Sequence, residues 1–153
     1  MSNKESKKLV EYCLKILTLR SYSEFELYRK LLQKTEDTYL VSTVLDQLKD
    51  WGLINDLEFA KNFVRSSLAN KPKGKYLLST ELSKKGISKE IIDQALEQLP
   101  EDQSSLIDEL IKKKAAKMSG LTREKQYQRL TSFLLRRGFK LDDIRKQIEK
   151  TLD

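Results

Sequence analysis

Residues 81–96, ELSKKGISKEIIDQAL, and residues 133–148, FLLRRGFKLDDIRKQI, carry nearly the same message. Each runs from an apolar stretch through a basic pair to Gly and a bulky apolar residue, then into a second apolar-periodic segment. An offset of 52 pairs Leu82 with Leu134, Gly86 with Gly138 and Ile92 with Ile144. An offset of 51 finds a third, more worn copy, with Leu31 on Leu82, Val41 on Ile92, Leu45 on Leu96, and Thr35 in place of Gly86. Gly after a helix end supplies the left-handed conformation that reverses the chain without a Cβ clash, and the apolar residue after it folds back on the helix. The repeated phrase therefore reads as a helix-turn-helix with Gly86 and Gly138 as structural turns.

Working outward, 3.6-residue periodicity places about three helices in each beat. Leu9, Val10, Cys13, Leu14 and Leu17 make one apolar face. Ser23 with Glu26 is a capping box, and Leu40, Val41, Val44, Leu45 and Leu48 line the next helix. Asp56 reads as the cap of a helix burying Ala60 and Val64, and Ser88 and Thr122 read as later caps. Leu141, Ile144, Ile148 and Leu152 form the last stripe. With only two Pro and five Gly in 153 residues, the expectation is an all-α protein. A beat near 50 residues exceeds the two-helix repeats of roughly 34 residues. The expected architecture is three tandem three-helix modules, at 1–54, 55–100 and a strongly basic 101–153, in an elongated, curved helical repeat.

Chemistry is sparse. Histidine is absent and Cys13 is the single cysteine, which removes the commonest general base, an internal disulfide and a multi-cysteine metal site. There is no Gly-rich phosphate loop and no nucleophile elbow. Asp142 and Asp143 diverge by about 100° on a helix and suit its N-terminal dipole better than paired catalysis. Cys13 sits on an apolar stripe and reads as core. The reading is a non-enzyme without metal or cofactor. No apolar run serves as a signal or membrane span, so a cytoplasmic monomer is expected.

Charge is informative by location. The formal net charge is +7, yet residues 111–140 hold ten Lys or Arg against one acid, Glu124. Residues 61–75 have no acid either. At 100° per residue Lys125, Arg129, Ser132 and Arg136 share one side of a helix whose opposite side carries Tyr127, Leu130 and Leu134. Such a ridge suits phosphates or rows of carboxylates. The candidate partner-binding surface is Lys71, Lys73, Lys75, Lys125, Arg129, Arg136, Arg137 and Lys140. Lys71, Lys73 and Lys75 are expected to project from a loop, so that folding is indifferent to them. The helices after the turns begin SKEIID and KLDDIR, where acids would repel DNA phosphates, so base-reading is disfavoured.

LTLRSYSEFELYRKLLQK (17–34), GLINDLEFAKNFVRSSLANKPKGKYLLSTELSKKGISKEII (52–92) and FLLRRGFKLDDI (133–144) resemble, in order, segments of the RecX family of bacterial regulators of the RecA recombinase. Thr35 and Lys140 depart from the family pattern, and residues 101–125 match little beyond being basic. The resemblance implies modules lying in the groove of a RecA–DNA filament. It also implies hindered filament growth, ATP hydrolysis and strand exchange, and a damped SOS response. The alternatives open from the residues are a non-specific nucleic-acid-binding protein and a generic helical-repeat adaptor, and a weak non-specific DNA contact through the basic segments stays open beside the filament.

Overall fold

The computed structural model describes residues 2–152, and among these the secondary structure is nine helices and no strand. They are α1 (Ser2–Leu17), α2 (Glu24–Leu32), α3 (Thr38–Asp50), α4 (Asp56–Asn70), α5 (Lys75–Lys84), α6 (Lys89–Leu96), α7 (Ser104–Ala115), α8 (Arg123–Arg136) and α9 (Leu141–Leu152). The fold is all-α. Its packing forms two compact units. One holds the residues up to Phe63 with Leu82–Ala95, and the other holds Val64–Glu81 with the residues from Leu96 onward.

In the first unit the apolar stripes of three helices close on one another. Leu9 and Cys13 of α1, Leu27 and Leu31 of α2, and Val41, Val44 and Leu48 of α3 form one buried cluster. Each Leu or Val so buried contributes about 1.5–3 kcal/mol. Burial pushes the Cys13 thiol up to about 11, so it stays a protonated core group. Ser23 caps α2 by accepting from Glu26 N–H, and Glu26 reaches back to Ser23 N–H at 3.0 Å. Asp37 caps α3 through Leu40 N–H, a role the periodicity did not indicate. Asp56 is not the cap of α4. Asn55 accepts from Glu58 N–H at 3.1 Å, while Asp56 opens the helix and its Oδ1 accepts from Glu24 N–H at 3.0 Å. Two adjacent cap-formers divided the work, and Asp56 went to the N-terminus of α2, where burial pushes its carboxyl above the usual range although the Glu24 N–H favours the carboxylate.

The turn between α5 and α6 seats on the start of α2. Gly86 has φ +80°, and a Cβ there would strike the Phe25 side chain. Ile87 N–H donates to Leu82 C=O, closing the helix end, and Ile87 is buried. Ser23 Oγ donates to Lys85 C=O at 2.7 Å, and Lys85 Nζ lies 3.3 Å from Glu26 Oε2. Thus the same Ser23 that caps α2 also fastens the turn. At the worn copy of the phrase, Thr35 needs no left-handed backbone, because no non-Gly residue among those described has positive φ.

The second unit repeats this arrangement. Ile107 and Ile111 of α7, Leu130 and Leu134 of α8, and Ile144 and Ile148 of α9 are fully buried together. Gly138 has φ +89°, and a Cβ there would strike Leu77 at the start of α5. Phe139 N–H donates to Leu134 C=O as Ile87 does to Leu82. Gly74 N–H donates to Arg137 C=O, and a Cβ on Gly74 would run into the Gly138 carbonyl. Phe25 and Leu77, 52 residues apart like the glycines they receive, occupy corresponding places.

A comparison isolates that contact. Gly120 also has positive φ but nothing stands within 4 Å of its Cβ direction. Gly120→Ala should cost only backbone strain, about 1 kcal/mol. Gly138→Ala adds displacement of Leu77 and should cost about 3 kcal/mol or more, read by chemical denaturation.

The Glu26 contacts predict a pH dependence. Burial pushes this carboxyl up, but Ser23 N–H, Arg20 and Lys85 together outweigh it and hold it below its ordinary 4.5. A depressed folded pKa gives stability that is complete above the unfolded value and disappears as pH falls through the folded one. Wild type should therefore exceed Glu26→Gln in stability at pH 7, and the gap should close on acidification below pH 4.5, measured by thermal melts across pH.

Candidate partner-binding surface

Helix α8 is aimed by its buried side. Thr122 starts it by accepting from Lys125 N–H at 3.2 Å, and Leu130 and Leu134 lock its inner face into the core. Lys125, Arg129 and Arg136 consequently stand exposed on the outer face. Arg129, Ser132 and Arg136 do not face open solvent alone. With Lys114, Lys117 and Gln128 they line a groove of about 330 Å³ along α7 and α8. An adjoining cleft of about 280 Å³ shares Lys114 and Lys117 and adds Lys71, Lys113 and Arg137. No carboxylate lines either one.

The eight positions singled out by sequence separate into groups. Arg129 and Arg136 line the groove, and Lys71 and Arg137 line the cleft. Lys125 and Lys140 are exposed outside both. Lys73 and Lys75 do not project freely. Lys73 Nζ donates to Glu81 Oε2 at 2.9 Å, and both side chains are largely covered. Lys75 is the first residue of α5, half-buried, and its N–H donates to Gln103 Oε1. The expectation that folding ignores this trio is therefore corrected: the residues between Pro72 and α5 are pinned to the unit, and Lys73 is part of the pin. Arg137 is likewise engaged, donating through Nη1 to Pro72 C=O at 2.8 Å and standing 4.8 Å over the Phe133 ring. Gly86 and Gly138 are the left-handed turns described above.

Lys113, Lys114 and Lys117 were missed as site residues. The signal was there in part: Lys113 and Lys114 stand on one side of the last turn of α7, and Lys117 follows in the turn after it. What the sequence did not disclose is that this side borders the ridge of α8. The same helix carries Lys112, which is ion-paired with Asp108 at 3.1 Å. By contrast, Lys71, Lys113, Lys114, Lys117, Arg129, Arg136 and Arg137 make no ion pair among the described residues. The groove and the cleft are thus lined by cations without an ion pair. Among the described residues no group of acidic or Cys side chains is arranged to hold a metal, and no helix among them is long and apolar enough to cross a membrane.

Comparison with known proteins fits these helices into a family. The family model for the second three-helix domain of RecX matches residues 55–96, and that for the third matches residues 101–148. The regulatory protein RecX of Chlorobium limicola is 35% identical over 150 residues, covering 98% of this chain and 93% of the relative. The chain belongs to the RecX family. The regulatory protein RecX of Pelodictyon phaeoclathratiforme is 30% identical over 97% of this chain and 91% of its own length. The crystal structure of RecX from Lactobacillus salivarius superposes with a TM-score of 0.84 at 27% identity, covering 99% of this chain and 98% of that one. The RecX relatives are named as regulatory proteins, and the all-helical fold matches theirs.

Lys73 and Lys71 give a direct test of the division between structural and free cations. Lys73→Glu sets a like charge against Glu81 and should cost about 1–2 kcal/mol, lowering Tm by about 2–6 °C. Lys71→Glu, with no ion pair to lose, should leave Tm within about 1 °C.

Proposed function

We propose that this chain binds the filament that the RecA recombinase builds on DNA and restrains it, slowing ATP hydrolysis, strand exchange and filament growth. One coincidence carries the reading: a chain similar to RecX over nearly its whole length lines two adjoining depressions beside α7 and α8 with cations that have no ion pair. A filament repeats its subunit surfaces and its charge along an axis. A protein built from repeated helix-turn contacts gains effective concentration when a second contact follows the first. Bridging neighbouring subunits then opposes the relative movements that accompany hydrolysis and growth. Nothing in this requires catalysis by the chain itself. Its role is regulatory and stoichiometric, and DNA recombination and repair are the processes it would govern.

The measurement is the DNA-dependent ATPase of the recombinase with and without the chain. The expected result is a dose-dependent fall, larger when the chain is present during assembly than when it meets finished filaments. Lys125, Arg129 and Arg136 changed together to Glu should keep full helical content by circular dichroism yet weaken filament binding roughly tenfold, about 1.4 kcal/mol. The control is excess competitor duplex at about 0.2 M salt, where purely electrostatic binding to free DNA is weak. Inhibition that persists supports the filament reading. Inhibition that vanishes in proportion to competitor would assign the effect to DNA sequestration instead.

A further inference from the structure

We propose that the turn Trp51-Gly52-Leu53, at the end of α3, is a docking knob that seats on the outer side of α8 in a second copy of this chain. Three turns of the molecule close with the same bond. Leu53 N–H donates to Leu48 C=O at 2.9 Å, Ile87 N–H to Leu82 C=O at 3.1 Å, and Phe139 N–H to Leu134 C=O at 3.2 Å. Each carries a left-handed glycine, Gly52, Gly86 or Gly138. Two of these turns press on a helix, and their apolar residues Ile87 and Phe139 are buried. At the third, nothing stands within 4 Å of the Gly52 Cβ direction, and Leu53 is 42% and Trp51 52% exposed. A lone exposed apolar side chain is ordinary, but here the single Trp of the chain and a Leu flank one fixed turn. A large aromatic held by a turn that closes on its own bonds gives up little freedom on binding, which suits it to anchor an interface.

Charge says what kind of surface receives it. Residues 46–58 hold four acids, Asp46, Asp50, Asp56 and Glu58, against Lys49 alone, in a chain whose net charge is +7. Asp46, Asp50 and Glu58 are exposed around the turn. The receiving surface should therefore be aromatic or apolar at its centre and basic at its edge. This chain builds such a surface. Arg123, Glu124, Tyr127 and Gln128 of α8 line a depression of about 610 Å³. Tyr127 is half-buried there, and Arg123 and Lys125 are exposed beside it. Residues 121–140 hold six Lys or Arg against Glu124 alone, the reverse of the balance around Trp51. An indole seated in the depression meets an aromatic ring and a guanidinium, both of which favour its π face. Asp46 and Asp50 then come to Arg123 and Lys125, which orients the contact.

Turn and depression are unlike surfaces, so the contact is heterologous. A copy that offers its turn keeps its own α8 open for the next copy. One turn against one helix side is a small interface, with a Kd on the order of 0.1 mM, which leaves the dilute chain monomeric. Copies held side by side on one support meet at effective concentrations near the millimolar range, where the contact forms. On the filament proposed above it would favour binding of copies next to one another. That consequence alone rests on the filament reading.

Because Trp51 is the single Trp, the docking residue is its own probe. Acrylamide quenching of its fluorescence is measured on the full chain, without recombinase, from about 5 µM to about 0.5 mM. Quenching should fall about twofold or more as the chain is concentrated. Two-chain mixtures then fix the direction. A Trp51→Ala chain, which is dark but has α8 intact, should shield Trp51 of dilute wild type when added in excess. The same dark chain with Lys125→Glu and Gln128→Glu should shield with about tenfold lower affinity. Asp50→Lys in the fluorescent chain should weaken shielding by the first dark chain and recover it with the second. Asp50, Lys125 and Gln128 are exposed, and thermal melts check that each variant folds as the parent does. Quenching that is independent of concentration would overturn the proposal. So would shielding indifferent to the α8 changes, or the absence of recovery in the charge-swapped pair. A dark chain that fails to shield while wild type shields itself would mean Trp51 packed on Trp51 in a symmetric pair, and overturns it too. Shielding by recombinase filaments and not by the chain would give the turn to the filament and end the self-docking account. Because the mixtures contain no recombinase, this result and the ATPase result stand or fall separately.

Discussion

The structure depends on one contact made twice: a left-handed glycine turn pressed onto the beginning of an earlier helix. Gly86 lies against Phe25 at the start of α2, and Gly138 lies against Leu77 at the start of α5. Both turns have positive φ, and both leave no space for a Cβ. Backbone conformation and close approach thus demand glycine for two separate reasons at each place. Polar bonds reinforce each seat differently. Ser23 Oγ and Glu26 hold Lys85 in the first, and Gly74 N–H and the Arg137 guanidinium tie residues 72–74 to the turn in the second. Arg137 belongs to the turn and to the basic cleft at once, so the element that secures the fold also positions the charge.

That sharing explains how the surface is sorted. Cations near the structural joints are matched: Arg20 and Lys85 with Glu26, Lys49 with Glu24, and Lys73 with Glu81. Lys113, Lys114, Arg129 and Arg136 on α7 and α8 are not, although Lys112 pairs with Asp108, and the inner sides of both helices are fixed by Ile107, Ile111, Leu130 and Leu134. Exposed ion pairs contribute little to stability, about 0–1 kcal/mol each. Leaving the groove unpaired therefore costs the fold little and retains a local positive field for a polyanionic or acidic partner.

Much of the fold was legible because it is written locally. The repeated phrase located the turns, the 3.6-residue stripes located the inner faces of α3, α8 and α9, and Ser23 and Thr122 announced their own caps. The rest was not local. Asn55 and Asp56 are both good caps, and only the nearness of α2 decides which one serves α4. Lys73 looks like its neighbours Lys71 and Lys75 until α5 brings Glu81 beside it. Lys113, Lys114 and Lys117 become part of one surface with Arg129 and Arg136 only when α7 and α8 pack, which a charge count along the chain does not register. The ridge on α8 was readable from one helix, but the groove needed two.

The central claim is that this unpaired basic surface is where the partner filament engages. Lysine footprinting measures it directly: amine-reactive labelling of the chain, free and bound to recombinase filaments, quantified residue by residue by mass spectrometry. The account predicts that Lys113, Lys117 and Lys125 lose reactivity on binding while Lys7 and Lys15, exposed on α1, keep theirs. Protection confined to α1, with the lysines of α7 and α8 labelled as in the free chain, would contradict it.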